Sequence, residues 1–201
     1  MPHAHFHALL DAYTPSAEEL AFKAPMQALL SDYGNCFDNS LIPPGHFTAS
    51  AWLINADGSQ ALLTHHAFLN RWLQLGGHAD GDPDLLQGAL REAHEESGLT
   101  RITPLLNNIY DIDIHDIPEN PKRGLGAHKH YDVRFLLYTD QTDFVCSDES
   151  HALDWFSYTD LMAMNMDASI KRMAHKWHIM QQDGSLALLI EKAKKQLENI
   201  N

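Results

Sequence analysis

A chain of 201 residues is long enough for one domain with a buried core and too short for two of full size. Its 44% hydrophobic and 20% charged residues are those of a soluble globular protein, away from the disordered and fibrous classes. A formal charge of -13 argues against a nucleic-acid binder that grips phosphates with Lys and Arg, and admits phosphate binding where a divalent cation stands between the negative charges. Cys36 and Cys146 match no metal or redox spacing and read as reduced thiols. Met1-Pro2-His3-Ala4-His5-Phe6-His7 has neither a basic start nor a long apolar core, and no apolar run approaches membrane-spanning length. A cytoplasmic protein without a membrane or nucleic-acid partner is therefore expected.

Residues 4–13 carry helically spaced apolar side chains, and Ser16-Ala17-Glu18-Glu19 resembles a capping box that opens a second helix to about Leu30. Pro43-Pro44-Gly45 ends this stretch, so the chain divides into a helical arm over 1–45 and a main domain over 46–201. From His46 the period becomes that of strands. Phe47–Asn55 and Gln60–His65 flank the turn dipeptide Asp57-Gly58 and predict a β-hairpin. Leu73–His78 reads as a short strand running into Gly76-Gly77. A helix follows, with Asp82 as N-cap, Pro83 at the first helical position and Gly98 at the left-handed position past the last turn. Residues 105–116 and 128–138 alternate as a second hairpin about a Pro/Gly loop, and 158–182 and 185–199 read as two closing helices separated at Asp183-Gly184.

On the central helix Glu92, Glu95 and Glu96 stand at i, i+3 and i+4, so three carboxylates crowd one face. Like charges at those spacings repel by roughly a few tenths of a kcal/mol per pair. A hard divalent metal would relieve the repulsion; a solvated acidic face is the plain alternative. Context favours the metal. Gly77 followed by Arg91-Glu92-Ala93-His94-Glu95-Glu96-Ser97-Gly98-Leu99 resembles the Nudix box, G-x5-E-x7-R-E-U-x-E-E-x-G-U with U aliphatic, with Ala93 at the first U.

The resemblance implies an α/β/α sandwich around a mixed β-sheet, to which the N-terminal helical arm and the C-terminal helices are added. It also implies that Glu92, Glu95 and Glu96 hold Mg²⁺, with Mn²⁺ as a substitute. One position departs from the pattern: the first box Glu falls on Pro83. Asp82 would serve if the loop were one residue shorter, and in the family that acid is mainly a structural partner of the box arginine, here Arg91. Carboxylates bind Mg²⁺ through oxygen, and the ion neutralises diphosphate charge and acidifies a bound water that attacks phosphorus. The general base must be a nearby carboxylate. Family members use a box Glu or a Glu from a later loop, which makes Glu95 and Glu149 the candidates. Glu149 precedes Trp155 as the family's late acidic loop precedes a Trp-containing strand; a solvated turn carboxylate is its plain reading.

The second hairpin has an unusual polar face. Asp111, Asp113 and His115 alternate with Ile112 and Ile114, and His128, His130, Asp132 and Arg134 alternate with Tyr131, Val133 and Phe135. This face suits a substrate or a second metal, with a solvated face as the alternative. His128 and His130 could begin a zinc site, but no third ligand is evident. Arg123 and Lys122 could reach terminal phosphates, as could Arg172 and Lys176 on one helix face; solvated basic residues are the alternative for both pairs. Gly77, His78, His128, His130, Asp132 and Arg123 are the candidate substrate contacts. Trp72, Trp155 and Trp177 could stack on a base, although large aromatics most often fill cores.

Three functions share these features. The leading one is hydrolysis of a small-molecule diphosphate, a nucleoside diphosphate linked to another moiety. An isopentenyl-diphosphate-isomerase-like enzyme would keep the diphosphate intact, but Glu95-Glu96-Ser97-Gly98 follows the hydrolase form and neither cysteine sits in a glycine-rich turn. A non-catalytic nucleotide binder would have little use for the full set of metal carboxylates. The arm could cover the site or make a homodimer contact.

Overall fold

The computed structural model describes residues 3–119, 124–146 and 150–198. Among them six helices and seven strands follow one another along the chain. The first half holds α1 (Ala4–Ala12), α2 (Leu20–Asp32), β1 (Gly45–Ile54), β2 (Gln60–His66), β3 (Arg71–His78) and α3 (Leu85–Ser97). The second holds β4 (Ile102–Pro104), β5 (Asp111–Ile117), β6 (His128–Thr139), β7 (Ser150–Ser157), α4 (Tyr158–Ala163), α5 (Ala168–Gln182) and α6 (Ser185–Glu198).

Strand β1 is buried along its whole length, as an apolar central strand covered on both faces must be. It runs parallel to β6 from Gly45↔Lys129 to Ile54↔Tyr138 and antiparallel to β3, so the sheet is mixed, in the order β4-β6-β1-β3-β2-β7. Alternation then sorts its side chains. Phe47, Ala49, Ala51 and Leu53 join the core under α1, α2 and α3, while Trp52 and Ile54 meet α4, α5 and α6, with Trp52 edge-on to Trp177 at 6.2 Å. The result is the expected α/β/α sandwich.

Several expected elements differ in detail. The first hairpin pairs only at Leu53↔Leu62 and Ile54↔Ala61, after which β3 enters between its arms. Of the strand predicted over 105–116, only β5 forms, from Asp111; β4 (Ile102–Pro104) precedes it on the same edge of β6. Leu105 N–H still donates to the Leu136 carbonyl (2.9 Å), and Tyr110 N–H donates to that of Arg134 (2.8 Å), so residues 106–109, with Asn107-Asn108, loop out between. The first closing helix is likewise two. Ser157 and Asp160 form a complete capping box for α4, and Met164 turns extended before α5 begins.

The arm packs into the core. Phe6, Phe37 and Phe47 lie with ring centroids 5.1–5.6 Å apart, beside buried Leu10 and Met26. Its capping box is half formed. Glu19 accepts Ser16 N–H at 2.8 Å, but Ser16 Oγ has no partner and α2 starts only at Leu20. The Glu19 carboxylate is instead drawn inward, to Lys176 Nζ (2.7 Å), Tyr13 Oη and Ile112 N–H (3.0 Å).

Lys176 belongs to a buried ion network on the sheet face under α5. Arg134 Nη1 meets Asp111 at 3.0 Å and its Nε meets Asp132 at 2.7 Å; Arg172 Nη2 meets both Asp111 and Asp113 at 2.7 Å; Lys176 Nζ meets Asp111 at 2.8 Å. Asp111 and Arg134 are 0% and 2% exposed. Arg172 and Lys176 are thus neither phosphate ligands nor a solvated face, because α5 turns them toward the sheet. Replacing Arg134 removes the only cation paired with buried Asp132 among the described residues and one of those paired with Asp111, so Arg134→Leu should cost about 3–5 kcal/mol in urea unfolding, whereas Lys195→Ala, at the exposed Glu191 pair, should leave the midpoint unchanged.

The network also predicts a pH dependence. Burial alone would raise the Glu19 pKa, but hydrogen bonds from Lys176, Tyr13 and Ser16 outweigh it and hold the group at about 2. An unfolded Glu titrates near about 4.3. The stabilisation is therefore complete above that value and is lost as pH falls toward the folded pKa. Urea midpoints should drop between about pH 5 and about pH 2, and Glu19→Gln should flatten the drop; identical profiles would remove Glu19 from the account.

Candidate active site

Helix α3 forms because its ends are capped and one stripe is apolar. Asp84 accepts Gln87 N–H at 3.2 Å, Gly98 takes the left-handed conformation (φ 67°) at the other end, and Leu85, Ala89 and Ala93 pack into the core. The cap at Asp84 corrects the expectation of Asp82. The Asp82 carboxylate closes the preceding turn by accepting Asp84 N–H at 2.9 Å, and the helix begins beyond Pro83, at the first buried apolar residue.

The three glutamates gather where α3 crosses the glycine end of β3. A Cβ on Gly77 would fall 2.6 Å from the Glu92 carboxylate, so only glycine leaves that group its place. Glu96, almost fully buried, accepts Gly76 N–H at 3.1 Å. Glu95 is the open member, with a side chain 60% exposed. Burial raises the Glu92 pKa; the charge of Arg91 opposes that shift and the charge of Glu95 adds to it.

Arg91 organises the group. Its guanidinium reaches Glu92 at 2.7 Å, Glu95 at 3.2 Å, the His78 carbonyl at 2.8 Å and Asp80 at 3.1 Å. Asp80, in the left-handed region at φ 52°, therefore supplies the acid expected at Asp82. Sequence reasoning missed it because Asp80 stands outside the box register. Its place in the loop at Asp80-Gly81-Asp82 was the available signal.

Pleating sends His78 to the opposite face from Gly77. There it meets His46: His78 stands opposite Thr48 and His46 opposite His130 in register, and the His46 ring lies 5.1, 5.1 and 5.0 Å from those of His78, His128 and His130. His128 Nε2 is 3.2 Å from His130 Nε2, and the His115 ring is 5.6 Å from that of His130. Burial, reinforced by the neighbouring histidines, lowers His46 to about 4 and His130 to about 2, so both rings are neutral at neutral pH. His46 was not foreseen, although the alternation His46, Thr48, Ser50 in an apolar strand marks the polar face. An open groove of about 480 Å³ lined by Pro44, Asp116, Ile117, His128 and Lys129 runs from the rim of this cluster.

Asp132 does not join the histidines as a surface contact. It is 1% exposed, and its oxygens accept from Thr48 (3.0 Å), Ser50 (2.7 Å), Gln74 (3.1 Å) and Arg134 (2.7 Å). A carboxylate so saturated serves the buried network. Trp177 is core, Trp72 packs edge-on to Phe156 at 4.8 Å, and Trp155 lies on β7 with Nε1 donating to the Thr142 carbonyl. Arg123, Lys122 and Glu149 lie outside the described residues.

A mixed sheet between two helical layers, with a carboxylate-bearing helix set against a glycine strand end, defines a fold of the Nudix kind. The family model described as NUDIX domain matches residues 44–177, and the chain belongs to that family. It is 28% identical over 101 residues to a probable DHNTP pyrophosphohydrolase of Lactococcus lactis, covering 50% of this chain and 58% of that protein. It is 29% identical over 109 residues to an m7GpppN-mRNA hydrolase of Xenopus laevis, covering 49% and 36%. The chain thus matches only about half, or less, of the length of these curated relatives. A solved MutT protein from Methanosarcina mazei superposes with a TM-score of 0.55 at 21% identity, over 71% of this chain and 99% of that one.

Because the Arg91 charge opposes the burial shift at Glu92, Arg91→Met should move Glu92 titration further up. Carbon-detected NMR of the side-chain carboxyls would show it; an unmoved Glu92 would mean that Arg91 only spaces the loop.

Proposed function

We propose that this protein is a Mg²⁺-dependent hydrolase that cleaves a diphosphate linkage in a nucleoside diphosphate joined to a sugar, a second nucleoside or a further phosphate. The observation that carries the reading is the set of carboxylates Glu92, Glu95 and Glu96 around the glycine end of β3, where the missing Cβ of Gly77 leaves room for Glu92. Such all-oxygen donors suit a hard cation, Mg²⁺ or Mn²⁺. When bound, that ion supplies neutralisation of diphosphate charge and a water of lowered pKa.

The chain's own groups have distinct tasks in this reading. Glu92 and Glu96 are held in place, one by Arg91 and the other by the Gly76 N–H, so they serve as fixed ligands. Glu95, open to solvent, stands where a carboxylate can take a proton from the attacking water; Glu149 is the other candidate for that role. Arg91 positions both Glu92 and Glu95 and ties them to the His78 carbonyl. Substrate would lie against Gly77 on the glutamate face, with Arg123, which falls between β5 and β6 in the sequence, as a candidate for its phosphates; His78, His128 and His130 face the other side of the sheet. Residues 46–201 form the catalytic domain and residues 1–45 an arm that closes one face of its core.

Support comes also from the relatives' names, a pyrophosphohydrolase and an mRNA cap hydrolase, which agree on hydrolysis and differ in the remainder of the substrate. Neither Cys36 nor Cys146 forms a disulfide among the described residues, which supports the cytoplasmic setting included in this reading; no described helix is long and apolar enough to cross a membrane.

Phosphate and nucleotide release from a panel of diphosphate compounds, with and without Mg²⁺, tests the proposal. Turnover should require the metal, and Gln at whichever of Glu95 and Glu149 is the base should lower kcat by about 10²–10⁴-fold. No turnover on any compound with Mg²⁺ bound would overturn the hydrolase reading in favour of an isomerase or a binding protein.

A further inference from the structure

The histidines on the face opposite α3 form a group that the glutamate chemistry does not use. Among the described residues, the nitrogens of His46, His78 and His130 lie within 4.8 Å of one another. His46 is 1% exposed, and neither of its ring nitrogens has a hydrogen-bond partner of acceptable geometry, although the Leu41 carbonyl lies near enough to favour its proton. An unsatisfied nitrogen at such a depth is costly, and a ligand would relieve the cost.

The chemistry of the group selects the ligand. Neutral His46 and His130 offer lone pairs and no positive charge, so they suit a cation of intermediate softness better than an anion or Mg²⁺. His128 shows the orientation typical of metal sites. Its Nδ1–H donates to the Gly126 carbonyl at 2.8 Å, which turns its bare Nε2 to His130 at 3.2 Å. Behind the rim, the Nδ1 of His115 faces Asp113 at 3.8 Å.

We propose that His46, His78 and His130 bind one late transition-metal ion, with Zn²⁺ as the reference species, at a site separate from the oxygen donors of α3. His128 is the oriented nitrogen at its rim. The ion ties the N-terminal ends of β1 and β6 to the C-terminal end of β3, three termini that no turn connects directly. The site stands on the geometry of the histidines and does not require the hydrolase reading.

The test is metal binding. Full-length protein stripped by a chelator is titrated with Zn²⁺ against a chromophoric chelator, and with Co²⁺ by visible absorption, both in excess Mg²⁺. Tight binding and the bands of tetrahedral Co²⁺ are expected, and Zn²⁺ should raise the melting temperature. His130→Gln and the part-exposed His78→Asn should each weaken Zn²⁺ by about ten-fold or more and lose the thermal shift. His78→Asn keeps the test valid if substitutions deeper in the cluster fail to fold. Glu92→Gln, and a His5→Gln, His7→Gln double variant that removes two histidines of α1, should bind Zn²⁺ as the wild type does. Unchanged affinity in both His78→Asn and His130→Gln, or loss in the α1 double variant instead, would overturn the proposal.

Discussion

Asp111 lies wholly out of water, and an isolated carboxylate there would cost several kcal/mol (about that per ion even after relaxation), so its partners are not optional. Arg134 comes from the neighbouring strand, directly opposite in register, while Arg172 and Lys176 descend from α5 one helical turn apart. Their reach sets both the height and the rotation of α5 over the sheet. Lys176 then extends the network to Glu19, so the arm is drawn to the same centre. A network of four acids (Glu19, Asp111, Asp113, Asp132) and three bases (Arg134, Arg172, Lys176) joins arm, sheet and closing helices.

The same network divides one face of the sheet. On one side Trp52 and Ile54 meet Met173 and Trp177 in a dry core; on the other, Thr48 and Ser50 bind Asp132 and the strand ends carry His46, His78, His128 and His130. Charge is concentrated where hydrogen bonds saturate it. His46 and His130 beyond are held neutral by burial and by the neighbouring histidines. A polar face can thus contain both a closed structural network and an open set of lone pairs.

At the end of β3, one step along the backbone separates two chemistries. Gly77 makes room for the Glu92 carboxylate on one face, and His78 projects to the imidazoles on the other. The His78 carbonyl, held by Arg91, links them through a single residue. Oxygen donors and nitrogen donors are thereby kept apart by the thickness of the sheet.

Much of this was legible without the structure. The helix of Glu92, Glu95 and Glu96, its Gly98 cap, the strand periods and the polar face of β5 and β6 follow from spacing and capping, which act within a few residues. The acid opposite Arg91, the inward turn of Arg172 and Lys176, the burial of Asp132 and the meeting of His46 with His130 were not legible. Local periodicity tells which side of an element a residue occupies. The partners of a buried charge or a lone pair depend on strand register and helix placement between distant segments, and only the assembled fold determines those.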